Sequence, residues 1–88
     1  MAYRVEFTTA AQRDFRKLPT PARKRVQGVI ELLQENPRPP KAKLLKGKLH
    51  GFYRVRTGPY RIIYMVEEDR LVVCIVRIGD RKDVYQRR

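Results

Sequence analysis

Four arginines in the second half of the chain have the chemistry to hold a phosphate group. They are Arg54, Arg56, Arg61 and Arg81. Each guanidinium group presents a planar fork of N–H donors that can bind two phosphate oxygens at once. Side chains of a β-strand alternate between its faces, so Arg54 and Arg56 project from the same face. Two mutually repelling cations on one face are tolerable where an anion binds, and the pattern therefore predicts an anion site.

Basic and acidic residues are unevenly distributed along the sequence, and three of these arginines lie in a stretch without acidic residues. Residues 36–66 contain no Asp or Glu, and all nine carboxylates of the chain lie outside that stretch. Its basic residues are Arg38, Lys41, Lys43, Lys46, Lys48, Arg54, Arg56 and Arg61, together with the only histidine, His50. We expect this segregation to produce one positive surface.

Tyrosines near the arginines suggest what kind of polyanion binds. Tyr85, and either Tyr53 or Tyr60, are predicted to lie at the edges of the arginine patch. Unstacked bases can stack on such rings, which favours single-stranded or locally unwound RNA over an intact duplex. The plainer alternative is an ordinary solvated strand face, with Tyr85 packing only the end of the chain.

Composition limits the remaining choices. The 88 residues have room for one domain, 1–88, and carry a net charge of +12. Such a field attracts nucleic acid, an anionic membrane surface or an acidic protein, although a surface selected for solubility is the alternative. The sequence shows no secretory signal or long apolar stretch, so we expect a cytoplasmic protein. It also shows no phosphate-binding glycine loop and no metal-ligand spacing, so we expect no cofactor and metal-free chemistry.

The order of predicted elements is β-α-α-β-β-β. A strand over 3–7 is followed by a helix that begins at Thr8 or Thr9 and runs to Lys17. Thr20 is predicted to N-cap a second helix, which stops before Asn36 and Pro37. Three strands over 51–56, 60–66 and 71–78 are joined by short turns and form an antiparallel meander. This is an α+β fold with a helical hairpin packed on one face of a small curved, mainly antiparallel sheet.

The whole pattern resembles the RelE/ParE superfamily of toxins from toxin–antitoxin systems. The matching segments are 1–3, 15–18, 43–47, Tyr60–Tyr64 and Ile78–Tyr85, and they span nearly the whole chain in the family's order. RelE-type members cut mRNA in the ribosomal decoding site, whereas ParE-type members act on DNA gyrase. A basic set on the central strands, a late arginine after a glycine and a tyrosine near the end match the RelE type.

The resemblance implies roles for individual residues. Attack of a ribose 2′-hydroxyl on the adjacent phosphate would expel the 5′-oxygen. Arg56, Arg61, Arg81 and Tyr85 would be the catalytic set, and Lys43, Lys46, Lys48 and Arg54 would hold the RNA backbone. Arg61 and Arg81 would stabilise the charge of the pentacovalent phosphorane, and Tyr85 would stack on a base.

The general base stays open at this point. The RelE prototype has lysines where this chain has Arg54 and Arg56. Arginine remains protonated and is a poor base. Either the arginines act only electrostatically and alignment of the 2′-hydroxyl does most of the work, or another group takes the proton, for which His50 and Tyr85 are the neutral candidates.

Three functions remain in competition. An mRNA-cleaving toxin is favoured over a gyrase inhibitor of the same fold and over a non-catalytic RNA-binding module. Both toxin hypotheses imply a small acidic RelB-like antitoxin as the cognate partner. The hypothesis of an mRNA-cleaving toxin also implies mRNA on the ribosome as a partner.

Overall fold

Two helices pack on one face of a five-stranded mixed sheet in the computed structural model, which describes residues 2–49 and 51–80. In chain order the elements are β1 (Arg4–Phe7), α1 (Thr9–Lys17), α2 (Thr20–Glu35), β2 (Lys43–Leu44), a 3₁₀ turn (Gly47–Leu49), β3 (Tyr53–Thr57), β4 (Tyr60–Glu67) and β5 (Val72–Asp80). The strand order across the sheet is β1-β5-β4-β3-β2. The predicted α+β class and the helical hairpin on one face are confirmed.

Two features of the sheet were not predicted. The two-residue strand β2 pairs with β3 and extends the meander by one strand at its edge. At the opposite edge β1 runs parallel to β5, with Arg4 opposite Val72 and Phe7 opposite Ile75, while all other pairs are antiparallel. The first and last described strands are therefore neighbours.

The start of α1 is fixed by a single hydroxyl group. Thr8 is the N-cap, and its Oγ1 accepts a hydrogen bond of 3.0 Å from the N–H of Ala11. The same hydroxyl donates to the carbonyl of Val76 at 2.8 Å. Val76 lies where the β4–β5 register shifts, between the pairs Ile63–Arg77 and Tyr64–Ile75. Thr8 thus joins the beginning of α1 to this bulge in β5.

The predicted cap of α2 was wrong. Thr20 is the first residue of the helix, and the N-cap position belongs to Pro19, whose side chain accepts no hydrogen bond. The Thr20 hydroxyl instead accepts a hydrogen bond from the Arg23 guanidinium at 3.1 Å. The predicted end is confirmed, because Asn36 closes the helix through its N–H to the Leu32 carbonyl.

The core lies between the helical hairpin and the sheet. Val26, Ile30 and Leu33 recur at helical spacing along α2 and are buried against strand residues such as Val55 and Ile62. Tyr64 is fully buried among them, and its hydroxyl donates to the Pro37 carbonyl at 2.7 Å. This bond fixes the proline-rich connector that leads from α2 to the basic segment before β3.

Candidate nucleic-acid interface

Strand alternation sorts the basic residues of β3 and β4 onto the face opposite the helices. Val55 and Ile62 are directly paired across β3 and β4 and point into the core. Their neighbours in sequence, Arg54, Arg56 and Arg61, therefore project from the other face. The predicted common face of Arg54 and Arg56 is what the register shows.

Arg56 and Arg61 stand directly opposite each other across the β3–β4 pair. Residues paired in this way have Cβ atoms about 5 Å apart, so two like charges there destabilise the strand pair. One phosphate group between the two guanidinium groups would relieve that repulsion and could be bound by both.

A second row of basic residues lies beside this pair. Lys43 of β2 is opposite Arg54 of β3, and Arg54 is in turn opposite Ile63 of β4. Ile63 is buried although it belongs to the face away from the helices. The face thus combines cations with an apolar residue at its centre.

The two arginines of the opposed pair differ in their surroundings. Arg61 is half-buried, and its Nε atom is fully shielded from solvent. Arg56 is exposed and forms no ion pair with any carboxylate of the described residues. Arg61 is therefore the more firmly positioned of the two charges, and Arg56 is the more accessible.

The remaining predicted site residues divide into two groups. Lys43, Lys46 and Lys48 are exposed along the segment from β2 through the 3₁₀ turn, which leads to β3. Arg81 and Tyr85 of the predicted catalytic set lie outside the described residues, and so does His50. The structure accordingly brings together the β2–β4 part of the predicted site.

The predicted placement of Tyr53 and Tyr60 beside the arginines was wrong. Both rings pack against the core on the helix-covered face, and Tyr53 stacks on Tyr64 with ring centroids 5.5 Å apart. The alternation that brings Arg54 and Arg56 to one face necessarily turns Tyr53 to the other. Neither tyrosine can stack a base that is held on the arginine face.

Arg38 belongs to the basic stretch but has an internal structural role. Its Nε donates to the Tyr53 hydroxyl at 2.9 Å, and its guanidinium group also pairs with Glu68. Glu68 accepts a further hydrogen bond of 2.8 Å from the Tyr3 hydroxyl. The Tyr3 hydroxyl and Arg38 hold the pKa of Glu68 below its ordinary value, and burial raises the pKa of Tyr64. This network ties the connector to the far end of the sheet.

Within residues 2–49 and 51–80, no three His, Cys, Asp or Glu side chains come together as a metal would require. None of the described helices combines the length and the hydropathy needed to cross a bilayer.

Comparison with known proteins identifies the family. The family model described as the ParE toxin of type II toxin–antitoxin systems matches residues 5–85. The chain belongs to this family. It is 36% identical over 90 residues to toxin RelG of Mycobacterium tuberculosis, covering 99% of this chain and all of that protein. It is 30% identical over 92 residues to the mRNA interferase toxin RelE of Escherichia coli, covering 97% and 92% of the two chains.

A solved relative supports the family's fold for this chain. The toxin–antitoxin complex RelBE2 from M. tuberculosis contains a chain that superposes with a TM-score of 0.83 at 32% identity, over 91% of this chain and 99% of that one. The resemblance inferred from the residues is thereby confirmed, as is the assignment of the RelE-like fold.

One basic region was overlooked at the level of sequence. Six Lys and Arg residues lie between positions 13 and 25, against one carboxylate. The density of positive charge in this segment is a visible signal in the sequence, although the segment is shorter than the acid-free stretch at 36–66. The position of residues 13–25 relative to the arginine face follows only from the fold.

Proposed function

We propose that this toxin-family protein is an endoribonuclease that cuts mRNA on the ribosome and so stops translation in the cytoplasm. The arginine face binds the RNA backbone, and the opposed Arg56–Arg61 pair receives the scissile phosphate. Lys43, Lys46, Lys48 and Arg54 hold the neighbouring phosphates. The family relationship supports the toxin role, and the name of the E. coli relative supports RNA as the substrate.

The observation that carries the proposal is the cross-strand pairing of Arg56 with Arg61. The two side chains project from one face at directly opposed positions, about 5 Å apart at their Cβ atoms. One phosphate group can therefore contact both guanidinium groups at once.

The chemistry follows from the charge of the transition state. The ribose 2′-oxygen attacks phosphorus and loses its proton, the bond to the 5′-oxygen breaks, and that oxygen takes up a proton. The products are a 2′,3′-cyclic phosphate and a 5′-hydroxyl. The intermediate phosphorane carries more negative charge than the substrate, so Arg56 and Arg61 stabilise it more than the ground state. They act as fixed charges, because an arginine does not give up its proton.

Two further residues complete the proposed site from the end of the chain. Arg81 stabilises the same charge beside the leaving oxygen, and Tyr85 stacks on or orients a base. Both roles come from the match to the family pattern. They stay proposals, since Arg81 and Tyr85 lie outside the described residues.

A toxin of this kind needs a neutralising partner. The proposal includes a small, acidic, RelB-like antitoxin that brings carboxylates to the arginine face. The solved relative in a toxin–antitoxin complex supports such a partner. The excess of 21 basic over nine acidic residues provides the electrostatic attraction.

The decisive experiment compares wild-type protein with R61A in a purified translation system. Mapping of transcript ends should show new cuts with wild-type protein on ribosome-bound mRNA, and cuts reduced by about 10²–10³-fold with R61A. R4A is the matched control. Arg4 is exposed at the opposite end of the sheet, and its replacement removes the same charge as R61A. Full cleavage by R61A would refute the assigned role of the pair.

The ParE description of the family makes gyrase the competing target. A supercoiling assay with the same protein preparations separates the two functions. Inhibition of supercoiling without any transcript cleavage would overturn the proposed function in favour of gyrase. If the protein binds RNA but produces no cuts, even on ribosomes, it is a non-catalytic RNA-binding module.

A further inference from the structure

A second basic surface lies on the two helices, away from the arginine face of the sheet. Its members are Arg13, Arg16, Lys17, Arg23, Lys24 and Arg25. The single carboxylate of this segment, Asp14, already accepts hydrogen bonds from Arg77 and from the N–H of Ile78. All six cations are exposed except Arg23, which is half-buried. Within the described residues none of the six forms an ion pair with a carboxylate.

The distribution of charge along α2 opposes helix stability. Arg23, Lys24 and Arg25 follow the start of the helix, while Glu31 and Glu35 lie towards its end. The helix dipole favours the reverse order, with acidic residues at the N-terminus and basic residues at the C-terminus. The first turn of α2 contains no acidic residue. This arrangement does not stabilise the folded helix, but it does favour the binding of a polyanion at the N-terminal end of the helix.

The basic residues of α2 wrap around its exposed side. Successive residues of a helix are separated by about 100°, so Arg23 and Arg25 flank the buried stripe of Val26 and Leu33 on opposite sides. Lys24 lies between them on the outside of the helix. The three side chains therefore present positive charge to solvent over a wide angle.

Arg25 connects this surface to the sheet. The Nη1 atom of Arg25 lies so close to Gly58 that a Cβ atom there would be 2.5 Å from it. Gly58 is in the turn between β3 and β4, two residues after Arg56 and three before Arg61. Arg25 thus brings the basic segment of α2 to the turn that joins the two strands of the arginine face.

We propose that the helical surface, from Arg25 through Lys24 to Arg23 and the basic residues of α1, binds the phosphate backbone of folded RNA next to the cleavage site. The inference rests on the proposed function, because it supposes that the arginine face receives the strand to be cut. The helices then contact the structured RNA that flanks this strand, as ribosomal RNA flanks a message.

The composition of the surface favours nucleic acid over a protein partner. The exposed large apolar residues of the described chain are Leu32, Leu44 and Leu71, and none lies in the segment from 13 to 25. Protein interfaces have an apolar centre and few charges there, whereas interfaces with nucleic acid are more polar and strongly positive. Four of the six cations are arginines, which suit phosphate binding.

The test uses an RNA hairpin that carries a short single-stranded arm, compared with the arm alone. The double variant K24Q/R25Q should reduce the ratio of the two affinities about tenfold, and lower the slope of log affinity against log salt by about 2 for the hairpin. The matched control is R4Q/R70Q, which removes two charges at the opposite end of the sheet. The control should leave the ratio and the difference in salt slope as in the wild type.

Each outcome decides the inference. A loss confined to K24Q/R25Q supports the helical surface, and an equal loss in R4Q/R70Q, or no loss in either, rejects it. If K24Q/R25Q instead loses affinity only for an acidic antitoxin, the surface is a protein interface and the inference is wrong. The R61A variant tests the proposed function separately. If R61A cleaves poorly while K24Q/R25Q keeps the wild-type ratio of hairpin affinity to arm affinity, only the role of the helical surface is rejected.

Discussion

Asp14 on α1 and Arg77 on β5 form a two-point ion pair beside β5, beyond the end of its neighbour β1. Arg77 Nε donates to Oδ2 at 2.8 Å and Nη2 donates to Oδ1 at 3.1 Å. Oδ2 also accepts a 2.9 Å hydrogen bond from the N–H of Ile78. Strand β1 ends at Phe7, opposite Ile75, so Asp14 supplies the acceptor that a longer β1 would have provided.

Removal of Asp14 should therefore weaken the whole fold. D14A leaves the Ile78 N–H and a half-buried guanidinium group without their acceptor, and we expect a loss of about 2–4 kcal/mol in the free energy of unfolding. Urea-induced unfolding measures it. E31Q is the control, since Glu31 is exposed, and its cost should be close to zero. A D14A variant as stable as E31Q would contradict the role of this pair.

Replacement of Arg56 should separate stability from activity. R56A removes the repulsion from Arg61, so unfolding should become more difficult by roughly 0.2–1 kcal/mol. Cleavage should fall, and R61A should cause the larger loss, on the order of 10²–10³-fold, because Arg61 is the more firmly positioned charge.

A double-mutant cycle tests whether the two arginines act on one phosphate. If they do, R56A/R61A should be much less impaired than the product of the two single effects predicts. Single-turnover cleavage rates give the coupling. Strictly multiplicative losses would show that the two guanidinium groups contact different phosphates.

Glu68 should make stability sensitive to acid. Its pKa is held below the ordinary value in the folded state, so its contribution is present above the ordinary glutamate pKa of about 4.3 and is lost as the pH falls through the folded-state value. The melting temperature of the wild type should decline over that range more steeply than that of E68Q. Identical acid profiles for the two proteins would exclude a role for the bonds from Tyr3 and Arg38.

Gly58 offers a way to move Arg25 without changing its charge. Its φ of +60° lies in the left-handed region, where alanine costs about 1 kcal/mol and asparagine less. A Cβ of either residue meets Arg25 Nη1, so both G58A and G58N should displace the guanidinium group. We expect both variants to bind the RNA hairpin less tightly, whereas only G58A should be clearly less stable to urea. Hairpin binding at wild-type strength by G58N would argue against RNA binding by Arg25 at this turn.

Local signals in the sequence predicted most of the elements. The N-cap of α1, the stop before Pro37 and the common face of Arg54 and Arg56 depend on one or a few neighbouring residues, and all three were predicted. Thr20 was misassigned because a threonine before a proline satisfies the cap pattern equally well one residue inside the helix.

Contacts between segments that are distant in the chain could not be predicted from the sequence alone. A two-residue strand such as Lys43–Leu44 has no periodicity to detect, and the bulge at Val76 leaves no sequence pattern of its own. The register that sets Arg56 opposite Arg61, and the approach of Arg25 to Gly58, join different elements. Such contacts follow from the packing of the whole domain.

The parallel pairing of β1 with β5 has a consequence for synthesis. Residues 4–7 find their partners only at 72–75, so the sheet cannot close until residue 75 has been translated and has left the exit tunnel. A fragment that ends before residue 72 therefore lacks the partner strand of β1 and cannot complete the sheet. During synthesis the chain passes through a stage in which β1 has emerged and its edge is still unpaired.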